Sequence, residues 1–255
     1  MEHLTRRHFI GWGLAGAATV CAGTGLFAAE DNNPARLKSR PGKPTKPAKK
    51  GLHDLGLVKG GKDGVLCVPR GYKPESPVPL IVMLHGSYGR HEWYNTFSKR
   101  AADDGIAGLM PDSRDETWDL FLGGFGPDVA FLDSALAHTF ERVAVDPRRI
   151  ALAGFSDGAS YALSVGLANG DLFTHVMALS PGYMKPPSRM GTPRVYVTHG
   201  NHDQVLPVAS SRDRIVPQLK TWGYEVIYKE FEGGHSLDPS EGREAFRWLV
   251  DNPAA

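Results

Sequence analysis

A chain of 255 residues with 41% hydrophobic and 22% charged residues has the make-up of an ordinary globular protein and the length for one catalytic domain with extras. Its formal charge of +1 is unevenly spread: residues 1–50 carry a net +6 and the remainder a net −5, so the main body is mildly acidic and excludes a basic nucleic-acid footprint. Cys21 and Cys67 are the only cysteines, which excludes a disulfide framework and a thiolate metal cage.

At the N-terminus, Thr5-Arg6-Arg7-His8-Phe9-Ile10 precedes a Gly/Ala-rich apolar run from Gly11 to Ala29. Paired arginines, an aromatic two residues on and an acid-free, weakly hydrophobic run resemble a twin-arginine export signal over residues 1–29. The resemblance implies the twin-arginine translocase as a partner and a periplasmic or cell-envelope location. The glycines make the run a poor permanent membrane span. Cleavage is expected between Ala22 and Glu30, and bulky Val20 disfavours a lipid-modified Cys21. Residues 30–51, with Arg40-Pro41-Gly42-Lys43-Pro44-Thr45-Lys46-Pro47, have almost no large apolar side chain. They read as a disordered basic linker that adds nothing to a core, which leaves residues 52–255 as the catalytic domain.

From there apolar runs alternate with amphipathic stretches. Gly64 to Val68 and Leu80 to Leu84 read as strands, the second continuously apolar as in a strand covered on both faces. Trp93 to Ala102 reads as a helix and Ile106 to Met110 as a strand. Asp128 caps a helix to Arg142 whose apolar stripe includes Val129, Leu132, Leu136 and Phe140. Then come strand Ile150 to Ala153, helix Asp157 to Ala168, and strands His175 to Leu179 and Arg194 to Thr198. Helix Val208 to Trp222, strand Glu225 to Phe231 and helix Ser240 to Val250 close the chain. Strands separated by helices predict an α/β fold, a mainly parallel sheet with helices on both faces.

Gly154-Phe155-Ser156-Asp157-Gly158 lies between such a strand and such a helix. That is the context in which G-x-S-x-G lifts a nucleophilic serine onto a strained turn, with the helix N-terminus aimed at a developing anion. A serine hydroxyl needs a base within hydrogen-bond reach. His235 follows a strand and the pair Gly233-Gly234, and Asp203 lies in the loop after the strand that ends at Thr198. The order Ser156, Asp203, His235 is the one this turn predicts. For the anion, the first donor is the amide of Asp157. The second is that of Ser87 or Tyr88, in His85-Gly86-Ser87-Tyr88-Gly89 at the end of a strand. His199, His202 and Asp203 lack the spacing of a metal site, and His199 reads as support for the loop. No metal is expected.

Taken together, these motifs resemble the α/β-hydrolase superfamily. More narrowly they are similar to bacterial esterases of the phospholipase/carboxylesterase group, which includes acyl-protein-thioesterase-like members, and of the polyhydroxybutyrate-depolymerase-like group. The resemblance runs from about Val65 to Val250. It rests on Leu84-His85-Gly86, Asp146-Pro147-Arg148-Arg149-Ile150, Gly154 to Gly158, His199 to Pro207 and Gly233-Gly234-His235. It implies a cofactor-free hydrolase with an acyl-enzyme on Ser156. Ser87-Tyr88 departs from the small Gly-rich sequence common after His-Gly in thioesterases. With no long insertion after Ser156, no large lid domain is expected.

Tyr88, Trp118, Phe125 and Tyr183 lie in loops expected to wall the site and contact a small-molecule ester, of short-chain or aryl type. A peptidase, amidase or thioesterase on the same triad is the close alternative. A catalytically silent binding protein is the remote one. No nucleic acid and no stable protein partner is implied.

Overall fold

The alternation of buried apolar runs dictates the sheet, and eight strands form one. The computed structural model describes residues 33–89, 95–237 and 239–254; the expected export signal lies outside them, as do Trp93 and the region's first linker residues. The strands are β1 (Gly51–Asp54), β2 (Gly64–Val68), β3 (Val78–Leu84), β4 (Ala107–Pro111), β5 (Val145–Phe155), β6 (His175–Leu179), β7 (Arg194–Gly200) and β8 (Val226–Phe231). Their order is β1-β2-β4-β3-β5-β6-β7-β8. The first two pairings are antiparallel and the rest parallel. The helices are α1 (Asn95–Asp103), α2 (Pro127–Phe140), α3 (Asp157–Ala168), α4 (Val216–Thr221) and α5 (Pro239–Asp251).

β3 has β4 on one side and β5 on the other, so chain direction switches about it and a crevice opens at the strand C-termini. Register brings those ends level: Leu84 pairs with Gly154, Phe155 with Leu179, and Gly200 with Phe231. One core joins α2 and α3 to one sheet face through Leu80, Val82, Leu132, Tyr161 and Phe173; the other holds Ile81, Met83, Ala101 and Phe246 from α1 and α5. Among the described residues no helix is long and apolar enough to cross a membrane.

Residues 33–50 correct the linker reading. They have no regular structure, yet they form a strap held to the body. Ala35, in a turn closed by the Arg36 amide on the Asn33 carbonyl, and Leu37 just after it are both fully buried in the core. Asn169 Oδ1 accepts from the Leu37 amide at 2.9 Å, and Asn169 Nδ2 donates to the Ala35 carbonyl at 2.7 Å. Further along, the Thr45 and Lys46 amides donate to the Glu141 carbonyl. The strap therefore has partners for its backbone that low hydrophobicity does not reveal. The folded body thus includes residues 33–51, which the linker reading left out.

Arg36 and Arg40 both bind the Asp171 carboxylate, at 2.5 Å each. The Arg36 hydrogen bond, opposed by burial and joined by Arg40, draws that carboxyl down to about 2. A depressed carboxyl stabilises the fold above its unfolded value of about 3.9 and ceases to do so as pH falls through its folded value. Melting of an Asp171→Asn variant, followed from pH 5 to pH 2, should therefore show a shallower acid decline than the parent. An unchanged slope would mean that the strap is not held by this pair.

Candidate active site

β5 ends in a turn that only a special backbone can make. Ser156 has φ 58° and ψ −120°, a left-handed conformation that costs an L-residue energy and persists because its surroundings impose it. The imposing contacts are close. A Cβ on Gly154 would lie 2.1 Å from the Gly158 carbonyl oxygen, and one on Gly158 would lie 2.4 Å from that of Leu84. The start of α3 thus sits directly against the end of β3. The Ser156 amide donates to the Leu179 carbonyl at 2.9 Å, and the side chain is left at the mouth of the crevice.

His235 reaches it from the loop after β8, the edge strand. Ser156 Oγ donates to His235 Nε2 at 2.8 Å, and His235 Nδ1 donates to Asp203 Oδ2 at 2.6 Å. This pattern requires the tautomer with hydrogen on Nδ1. The Phe155 ring lies 4.8 Å from the imidazole, centroid to centroid, and limits its rotation. The glycines that matter most for this approach are Gly200 and Gly233; an added Cβ on Gly233 would lie 2.8 Å from the Phe231 ring. A Cβ on Gly200 would meet the Gly234 carbonyl at 2.3 Å, whereas one on Gly234 would meet nothing closer than 3.9 Å. The loop after β8 folds back over the end of β7, and the His202 amide donates to the Gly233 carbonyl at 2.9 Å.

Asp203 is fully covered, its side chain at 0% exposure. Burial works to raise its carboxyl. The hydrogen bond from His235 and the Leu206 and Val205 amides, at 2.8 and 2.9 Å, outweigh it and leave the group below the usual carboxylate range. It is charged at neutral pH, as needed to stabilise an imidazolium. His199 supports this acid. Its Nε2 donates to the Leu206 carbonyl at 2.7 Å and lies 3.2 Å from Asp203 Oδ2, while Nδ1 accepts from Ser211 Oγ at 2.8 Å. Ser211 sits in a π-helical turn, Ser210–Ile215, just before α4. Pro217 at the start of α4 has no amide for an i−4 bond, which favours the wider turn. His202 points the other way, exposed and paired with Glu232.

Of the three amides expected at the anion site, the structure withdraws one. The Tyr88 N–H donates to the Glu116 carbonyl at 2.7 Å and is already used. The Asp157 amide is among the helix-start donors that lack an intrahelical acceptor. The Ser87 amide has no acceptor among the described residues. His85 carries this loop. Its Nε2 accepts from the Ser113 amide at 2.9 Å, so Nδ1 bears the hydrogen and donates to the Gly86 carbonyl at 2.8 Å.

The wall residues divide. Trp118 is only 1% exposed; its Nε1 donates to the His85 carbonyl at 2.8 Å and its ring stacks on Tyr161. It anchors the loop after β4 and does not face substrate. Phe125 is half-buried against the core, beside Tyr161. Trp118 departs from the expected contact role because the loop after β4 turns inward there. Its turn is pinned by Asp128, whose oxygens accept the Arg114 and Asp119 amides at 2.6 Å each. Burial pushes the Asp128 carboxyl up to about 6. Tyr88, at 73% exposure, and Tyr183, at 37%, do present surface. The Tyr183 phenol, half-buried and near the Asp157 charge, is pushed up to about 12. With Leu122, Val205 and Leu237 they are five of the six exposed large hydrophobics among the described residues. All five stand in loops that leave strand C-termini, so the apolar surface rims the edge that carries Ser156. The sequence reading missed Leu237, and also Thr117, Ser211 and the strap.

The arrangement has counterparts. A model of the phospholipase/carboxylesterase family matches residues 129–249, a span that contains Ser156, Asp203 and His235. The crystal structure of esterase PE8 superposes with a TM-score of 0.62 at 22% identity, covering 75% of this chain and 99% of that one. The chain thus has the α/β-hydrolase fold and is similar to esterases that share it. Among curated relatives, feruloyl esterase C of Emericella nidulans is 29% identical over 159 residues, covering 58% of this chain and 57% of its own. Acyl-protein thioesterase 1 of Gibberella zeae is 31% identical over 114 residues, covering 40% and 48%. The chain thus spans about half the length of these two curated relatives. The first is named for feruloyl esters and the second for acyl-protein thioesters.

Proposed function

We propose that this α/β-hydrolase cleaves carboxylic esters through an acyl-enzyme on Ser156. The observation that carries the reading is the continuous relay from Ser156 Oγ through His235 to Asp203, 2.8 and 2.6 Å long. In this mechanism His235 Nε2 takes the Ser156 proton as Oγ bonds to the ester carbonyl carbon. The oxyanion forms between the Asp157 and Ser87 amides, each such donor being worth about 3 kcal/mol of barrier. Asp203 stabilises the imidazolium. The imidazolium then gives its proton to the leaving alkoxide as the ester C–O bond breaks. A water, deprotonated by His235, releases the acid and restores Ser156.

For the substrate we favour a short-chain or aryl ester. The rim of Tyr88, Tyr183, Leu122, Val205 and Leu237 is open and apolar, and the feruloyl esterase relative favours an aromatic acyl group. The expected result is turnover of p-nitrophenyl acetate and butyrate and of methyl hydroxycinnamates, with a lower kcat/KM for p-nitrophenyl octanoate. A clear preference for octanoate would replace the short-chain reading with a long acyl pocket. Faster turnover of an acyl thioester or anilide than of its matched ester would replace the ester reading itself. On the motif at Arg6-Arg7 we propose export by the twin-arginine translocase to the cell envelope.

A further inference from the structure

Asp157 also carries a carboxylate for which the mechanism above has no use. It stands half-buried at the first position of α3. Its Oδ2 accepts hydrogen bonds from hydroxyls on two different loops, Ser87 Oγ after β3 and Thr117 Oγ1 after β4, the latter at 2.7 Å. Neither loop has regular structure there. The same loops are also tied by the amide of Tyr88 on the carbonyl of Glu116 and, deeper in the fold, by the Trp118 indole and the Ser113 amide on His85; the carboxylate bonds add the link at Ser87 itself. Gly86, just before Ser87, lies so close to the nucleophile that an added Cβ would be 3.2 Å from Ser156 Cβ. The direction of the Ser87 amide is therefore decided within a residue of this contact and of the carboxylate clamp.

A negative group beside a forming oxyanion is electrostatically unfavourable. A negative group in the first turn of a helix is favourable to the fold by up to about 1 kcal/mol, but that requires neither hydroxyl. What the two hydroxyls add is location. We propose that the Asp157 carboxylate is a positioning residue: it clamps the loops after β3 and β4 so that the amides of Ser87 and Asp157 converge on one oxyanion. The inference rests on the esterase reading above. It explains how a loop without the usual small residues after His-Gly still presents a second donor.

The experiment compares Asp157→Ala, Asp157→Asn and Thr117→Val with the parent enzyme on p-nitrophenyl acetate, together with inhibition by an alkyl boronic acid, which imitates the tetrahedral state. Asp157→Ala should lower kcat by about 10- to 100-fold, somewhat less than outright loss of a donor, with KM changed by less than about threefold. It should weaken the boronate by a matching factor, because only transition-state binding is lost. Asp157→Asn keeps an acceptor oxygen and should recover most of the kcat and boronate affinity that Asp157→Ala loses. Thr117→Val should fall between them and serves as the test if Asp157→Ala fails to fold by its melting curve. A kcat for Asp157→Ala within twofold of the parent, or a loss confined to KM, overturns the proposal. A parent enzyme that neither hydrolyses esters nor reacts with a fluorophosphonate overturns the esterase reading, and this inference with it.

Discussion

Replacement of Ser156 by alanine is expected to lower ester turnover by a factor of about 10⁴ or more, without loss of the fold. The substitution removes one oxygen, the atom 2.8 Å from His235 Nε2. It keeps the backbone conformation and its strain, since alanine at φ 58° is no worse placed than serine. His235 and Asp203 remain linked, and the two amides remain available, so water can still be activated weakly. His235→Ala should cost a similar factor. The double variant should be hardly worse than either, because the two groups act as one unit. Steady-state rates on p-nitrophenyl acetate and the mass of the fluorophosphonate adduct check both statements. A Ser156→Ala protein that labels or turns over like the parent would put the nucleophile elsewhere.

The second large effect reverses a rule. Gly158 lies in the first turn of α3, where exchange of glycine for alanine in a helix ordinarily adds about 1 kcal/mol of stability. Here the new Cβ would stand 2.4 Å from the Leu84 carbonyl oxygen and 2.5 Å from that of His85. Backbone on both sides must part, at a cost of about 3 kcal/mol, which outweighs the propensity gain. Gly158→Ala should therefore melt lower, by about 5 °C or more for a domain of this size. It should also lose activity, because β3 and α3 carry the two anion donors and separate. Gly242 in α5 is the internal control. Nothing lies within 4 Å of its added Cβ, so Gly242→Ala should raise stability by up to about 1 kcal/mol. If Gly158→Ala melts at or above the parent, α3 is not seated on β3 as described.

The three side chains of the hydrogen-bonded relay were legible because their signals are local. G-x-S-x-G between an apolar run and a helix marks Ser156, and the loops after two later strands mark Asp203 and His235. Other features depend on partners far along the chain. Leu37 looks like an isolated apolar residue in a Pro/Lys-rich stretch until Asn169 meets its amide. Trp118 looks like a wall residue until the carbonyl of His85 takes its indole N–H. Tyr88 looks like an anion donor until Glu116 uses its amide. Gly200 gives no signal in the sequence, yet a Cβ there would meet the Gly234 and Gly233 carbonyls at 2.3 and 2.5 Å.

Composition, strand–helix alternation and short motifs thus determined the class of fold, the chain order of Ser156, Asp203 and His235 and the strand ends on which they sit. Each of these depends on a run of neighbouring residues and on the backbone conformations they prefer. Tertiary structure alone decided which amides are free to bind an anion, which aromatic rings face outward, and that residues 33–50 belong to the body. Those outcomes are settled by which donor reaches which acceptor first, and the competitors come from loops that meet only when the sheet has closed.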